Sequence, residues 1–168
     1  MSSMTIAQGL RRVKKLKGLI KEHKDIAERC VSYNQDKVPD FDFNEEVRIM
    51  DTLTNEMVDL KARISAANAV NMVSDGDKEM SLGVAVLALA EMRGVIAFYK
   101  TLFLRSGLEK DKEQEWDDNA DKFITRIIET TYVSAMSEKE RTAKVRAIED
   151  RFEVLNNAVE DANHKLLI

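Results

Sequence analysis

Residues able to do chemistry are sparse in this chain, and their spacing favours binding over catalysis. His23 and His164 are the two histidines; neither stands at a zinc-ligand interval, and neither adjoins Cys30, the single cysteine. The chain holds no glycine-rich phosphate loop and no G-x-S-x-G elbow to raise a nucleophilic serine. Glu45/Glu46, Asp117/Asp118 and Glu138/Glu140 are paired carboxylates of the kind that hold a hard cation, yet acids also gather at helix starts for electrostatic reasons alone. Asp75-Gly76-Asp77 opens like a calcium loop but lacks the alternating oxygens and bidentate acid that must follow. No catalytic residue, metal or cofactor is therefore expected, and the chain reads as non-enzymatic.

Polar groups suited to recognition are easier to find. Between Arg11 and Lys24 stand seven lysines and arginines and one acid, Glu22. Arg11, Lys14, Lys15 and their neighbours make a basic face that is either ordinary solvation or a docking face, for a phosphate-bearing ligand or for the acidic segment of a neighbouring subunit. Arg126 and Tyr132 fall in a β-type segment at an even interval, so they share a face and pair an anion binder with a ring for stacking. Asn68, Asn163 and His164 complete the candidate ligand-binding set. The formal net charge of -4 argues against a surface given over to nucleic acid.

The elements that must position these groups follow from periodicity. One proline (Pro39) and six glycines in 168 residues predict long helices. A first helix is predicted over 5–32, its stripe running through Ile6, Leu10, Val13, Leu16, Ile20, Ala27 and Val31. A second, over 43–72, is capped by Asp42 with Glu45 as capping-box partner, and the two form an antiparallel hairpin. Ser74–Asp77 reads as a turn. A third helix, over 81–105, starts at Ser81, is apolar almost all round apart from Glu91, Arg93 and Lys100, and is closed by Ser106-Gly107. Residues 109–122, with seven acids against three lysines, read as a solvated helix or loop. The segment 123–133 (FITRIIETTYV) is rich in β-branched residues and reads as one strand, whose backbone must pair elsewhere in the chain or across a subunit boundary. A last helix over 138–164 opens on the Ser137/Glu140 capping box.

Two segments repeat one pattern. Asn55 to Asn68 (NEMVDLKARISAAN) and Asp150 to Asn163 (DRFEVLNNAVEDAN) align Met57 with Phe152, Leu60 with Leu155, Ile64 with Val159 and Ala67 with Ala162, each stripe closed by an asparagine expected to enter the left-handed conformation at the helix end. The predicted fold class is mainly α, a single 1–168 domain of long antiparallel hairpins around the central apolar helix, with one short β segment near 123–133 and with self-association. A lone cysteine and a start without an apolar signal core point to the cytoplasm. The apolar helix approaches the length of a membrane span, but three charges make a membrane partner the lesser expectation.

Several pieces resemble the septicolysin-like family of small uncharacterised bacterial and phage proteins over most of the chain: MTIAQGL at Met4, ISAANAVN, MSLGVAVLALAEMRGVI, FITRIIETTYV and the terminal LNNAVEDANHKLLI. The chain carries His164 where the family pattern calls for tryptophan. The resemblance implies a helical protein of bacterial or phage origin whose family has no assigned function. The reading is an oligomeric binding or scaffold protein. Its alternatives are a protein that sequesters an anionic, nucleotide-type small molecule between subunits, and a membrane-active toxin.

Overall fold

The computed structural model describes residues 3–117, 119 and 121–168. Along the chain run α1 (Ile6–Cys30), α2 (Phe43–Val70), β1 (Met72–Ser74), β2 (Glu79–Ser81), α3 (Leu82–Thr101), β3 (Gly107–Asp117), β4 (Lys122–Tyr132) and α4 (Glu138–Lys165). The fold is helical with two antiparallel hairpins, β1 with β2 and β3 with β4. The described residues form two compact units, one running to Ala90 and taking up Arg151–Ile168, the other Glu91–Asp150.

In the first unit, α1 begins at a capping box. Thr5 accepts from the Gln8 amide at 3.2 Å, and the Gln8 side chain accepts from the Thr5 amide at 2.9 Å. Asp42 caps α2 through the Glu45 amide at 2.9 Å. Glu45 does not complete a box: its carboxylate turns forward to Arg48, which donates at 2.9 and 2.7 Å. The two helices run antiparallel, as Arg12 early in α1 pairs with Glu56 at 2.7 Å while His23 further along pairs with Glu46 near the start of α2 at 2.6 Å. Gly9 permits a close approach, since a Cβ there would lie 3.3 Å from Ile64 Cδ1 and 2.7 Å from Ile168 Cδ1.

The core of this unit collects Ile6, Val13 and Leu16 from α1, Leu60 and Ile64 from α2, Leu82, Ala85 and Leu89 from α3, and Leu155 and Val159 from α4. Leu10 and Val31, expected in the α1 stripe, are exposed, and Gly9 and Cys30 hold the buried positions beside them. The repeated pattern is realised in packing, because Leu60/Leu155 and Ile64/Val159 are all buried. Its closing asparagines behave otherwise than expected. Asn68 and Asn163 lie inside their helices, and α2 ends at Asn71, whose extended backbone and side chain both donate to the Ala67 carbonyl, at 3.1 and 2.8 Å. These two hydrogen bonds satisfy the Ala67 carbonyl at the helix end without a left-handed residue.

Residues 74–77 turn as predicted, with Gly76 at φ 98° between β1 and β2. Asp75 holds the turn together. Its side chain is wholly buried and accepts from the amides of Asp77 and Lys78 at 3.1 and 2.9 Å and from Arg151 of α4 at 3.0 and 2.5 Å. The Arg151 guanidinium, helped by the Lys78 and Asp77 amides against the cost of burial, holds the Asp75 carboxyl down to about 2, from an ordinary 3.8. A lowered carboxyl pKa contributes stability that is complete above 3.8 and lost as the pH falls toward about 2. Urea unfolding at successive pH values should therefore show wild type losing stability through that window and Asp75→Asn losing less of it. Equal slopes for the two would remove the assignment.

In the second unit, the end of α3 meets the start of α4. Lys100 pairs with Glu149 at 2.6 Å, Arg141 donates to the Leu102 carbonyl at 2.8 Å, and the Lys144 ammonium lies 5.6 Å from the centre of the Tyr99 ring. The helix ends at Thr101, earlier than predicted, and Gly107 at φ 94° starts a strand instead of capping a helix. The acidic stretch read as solvated helix or loop is β3, and it is the partner that β4 required. Cross-strand chemistry explains the pairing: Trp116 faces Phe123 with rings 4.9 Å apart, Lys110 pairs with Glu129, and Arg126 pairs with Glu115 at 3.0 Å. Ser137 and Glu140 form the predicted box at the start of α4, the Ser137 amide donating at 2.8 Å and the Glu140 amide at 3.2 Å.

Candidate interaction surfaces

Helix α3 carries two apolar seams on opposite sides. Leu82, Ala85, Leu89, Met92, Ile96 and Tyr99, spaced by threes and fours, turn inward and are buried or half-buried. Gly83, Leu87, Ala90, Gly94, Ala97 and Thr101 repeat the same spacing on the far side, and all but half-buried Gly83 are exposed. Leu87 is 68% exposed and Phe98, beside this outer seam, 58%. The helix is long and apolar enough to cross a membrane by length and composition, and only 17% of its apolar window is buried. Gly94 sits mid-seam with nothing within 4 Å of where a Cβ would stand, so the chain's own packing gives no reason for a glycine there. A small residue in an exposed seam allows a second helix to approach closely.

The β3–β4 hairpin is a second such surface. No described residue of it is buried, and Leu108, Phe123, Ile127 and Ile128 are among its exposed apolar side chains. A two-stranded ribbon is marginal on its own in water, and both of its outer edges offer unpaired backbone groups. By alternation Glu109, Asp111, Glu113 and Glu115 share one face of β3, with Lys110 and Lys112 on the other.

Arg126 and Tyr132 do share a face of β4, but six residues separate them, about 20 Å along a strand. Arg126 is engaged by Glu115. Tyr132 is engaged by Arg105, whose guanidinium stacks 4.5 Å from the ring centre and donates to the hydroxyl at 2.8 Å. The structure does not bring the two together on one ligand. The cation that meets Tyr132 is Arg105, a residue the sequence reading passed over because it lay at an expected helix end. The signal was Gly107, which falls opposite Tyr132 in register and places Arg105 beside the ring.

In the first unit, Arg11, Lys14 and Lys15 are exposed on α1, His164 is exposed and Asn163 half-buried near the end of α4. Asn68 holds a buried Oδ1 with no hydrogen-bond partner. His23 is taken up by the nearly buried Glu46 carboxylate. Among the described residues no group of three or more histidine, cysteine or acidic side chains could hold a metal. Of the acidic pairs, Asp118 lies outside the described residues.

The fold is a known one. A crystal structure of a functionally unknown conserved protein from Corynebacterium diphtheriae is similar to this chain with a TM-score of 0.73 over 99% of both chains, at 17% identity. That likeness is one of fold. No family model matches the chain. No curated protein matches it either.

Proposed function

We propose that this chain is a non-enzymatic binding or scaffold protein that works as a homo-oligomer, with the outer seam of α3 packed against the same seam of a sister copy. The observation that carries the reading is the exposed, heptad-spaced face Leu87, Ala90, Gly94 and Ala97 on the most apolar helix of the chain. Protein cover suits it better than lipid, because Glu91 and Arg93 lie at mid-helix and each would cost about 2.5 to 3.5 kcal/mol at a bilayer centre. The buried thiol Cys30 fits the reducing, cytoplasmic setting that belongs to this proposal. The likeness to septicolysin-like proteins, and with it a phage or bacterial origin, belongs to the same proposal. An anionic ligand sequestered between copies has less support, since Arg126 and Tyr132 are already engaged within the hairpin.

Cysteine cross-linking tests the seam. With Cys30→Ser removing the native thiol, Ala90→Cys and Gly94→Cys, singly and together, should form an interchain disulfide on mild oxidation, because seam positions of two packed helices bring Cβ atoms within bonding range. A cysteine at Thr52, exposed on α2, serves as control. Cross-linking no faster at the seam than at Thr52 would remove the proposal.

A further inference from the structure

We infer that the acidic face of β3 in one copy docks on the basic face of α1 in another. This rests on the self-association proposed above and adds a second, electrostatic contact to the apolar one. On α1, Arg11, Lys14, Lys15 and Lys21 surround Gly18 on the side away from buried Val13 and Leu16, a face they share with the acids Glu22 and Asp25 toward its C-terminal end. Among the described residues none of these four cations has an ion-pair partner, whereas Arg12 and Lys24 on the flanks are paired with Glu56 and Glu28. Gly18 is exposed, and nothing lies within 4 Å of where its Cβ would stand. A glycine in mid-helix weakens the helix, and no packing inside the chain accounts for it. It leaves a shallow place, bordered by Lys14, Lys15 and Lys21 and by the acid Glu22, where another backbone can come close.

The counterpart is on the same chain. Glu109, Asp111, Glu113 and Glu115 present carboxylates at every second residue over about 20 Å, and Arg11 to Lys21 spans about 15 Å of helix. Asp111 and Glu113, at the middle of the acidic row, have no ion-pair partner among the described residues, while Glu109 and Glu115 are held by Arg105 and Arg126. The charges without an ion pair that can meet with opposite sign are thus Asp111 and Glu113 on one element and Arg11, Lys14, Lys15 and Lys21 on the other. Every copy carries both faces, so each copy can give and receive a strand. Docking also covers a ribbon that water alone supports poorly.

Two charge-reversed variants test this, Lys14→Glu/Lys15→Glu and Asp111→Lys/Glu113→Lys, with assembly followed by light scattering on dilution. Each alone should associate about tenfold more weakly or worse than wild type, and an equal mixture of the two should recover, since each pair of unlike variants again joins opposite signs at both contacts. Wild-type association should weaken between about 0.1 M and about 1 M salt, as screening shortens from about 10 to about 3 Å. Gly18→Leu should raise the melting temperature by restoring helix propensity and still weaken assembly. A wild-type oligomer indifferent to both reversals overturns this inference and leaves the α3 seam standing. Reversals that lower the melting temperature while leaving the mass unchanged place the contact within one copy and overturn it as well. A wild-type monomer overturns both.

Discussion

Leu87→Glu should reduce the protein to single copies. Leu87 contributes nothing to the chain's own core, being 68% exposed on the outer α3 seam, so folding of the isolated chain should change by no more than about 0.5 kcal/mol. Burying a leucine side chain is worth about 1.5 to 3 kcal/mol, and a symmetric interface loses that contribution twice. Association should therefore weaken at least about 100-fold, and more where the introduced carboxylate is left without a partner. Circular dichroism that matches wild type, together with a mass that falls, is the expected pair of results. An unchanged mass would mean that something other than this seam holds the copies together.

Leu16→Ala should have the largest effect on folding itself. Leu16 is fully buried on the inner face of α1, and truncating such a leucine costs about 2 to 5 kcal/mol through lost transfer energy and the cavity left behind. At about 2 to 4 °C per kcal/mol for a chain of this size, a loss near 3 kcal/mol lowers the melting temperature by roughly 6 to 12 °C. Leu10→Ala makes the contrast on the same helix. Leu10 is 46% exposed, and its truncation should stay within about 0.5 kcal/mol. If thermal melts gave the two variants equal losses, the assignment of the inner face of α1 would be wrong.

The contrast between Leu16 and Leu10 also marks where the sequence was legible. Helical period located α1, α2 and α4 and an apolar run located α3, while capping chemistry located the starts of the last three, because Asp42, Ser81 and Ser137 each bind an amide three residues on. Period alone could not say which edge of a wide apolar stripe faces inward, and so Leu10 and Val31 were placed in the core while Gly9 and Cys30 take the buried positions. The strand β4 was legible from its β-branched residues. Its partner β3 was not, since alternating acids and lysines carry no β propensity and acquire strand geometry from cross-strand pairs such as Trp116 with Phe123. β1 and β2 escaped for a related reason: three residues a side give no period to detect, and only the turn at Asp75-Gly76 was readable.

The candidate surfaces follow the same division. The basic face of α1 and the apolar character of α3 are properties of composition and were visible at once. The two-sidedness of α3 was not, because only the fold reveals that Leu82, Ala85 and Leu89 are spent on the core while Leu87, Ala90 and Gly94 remain uncovered. The proposed ligand pair Arg126 and Tyr132 failed to converge because sharing a face of a strand fixes direction and not distance.

The most direct test of the account is the mass of the wild-type protein in dilute buffer, measured by light scattering across a dilution series. The account predicts an integer multiple of 19.1 kDa that persists at micromolar concentration. A steady 19.1 kDa throughout would contradict it.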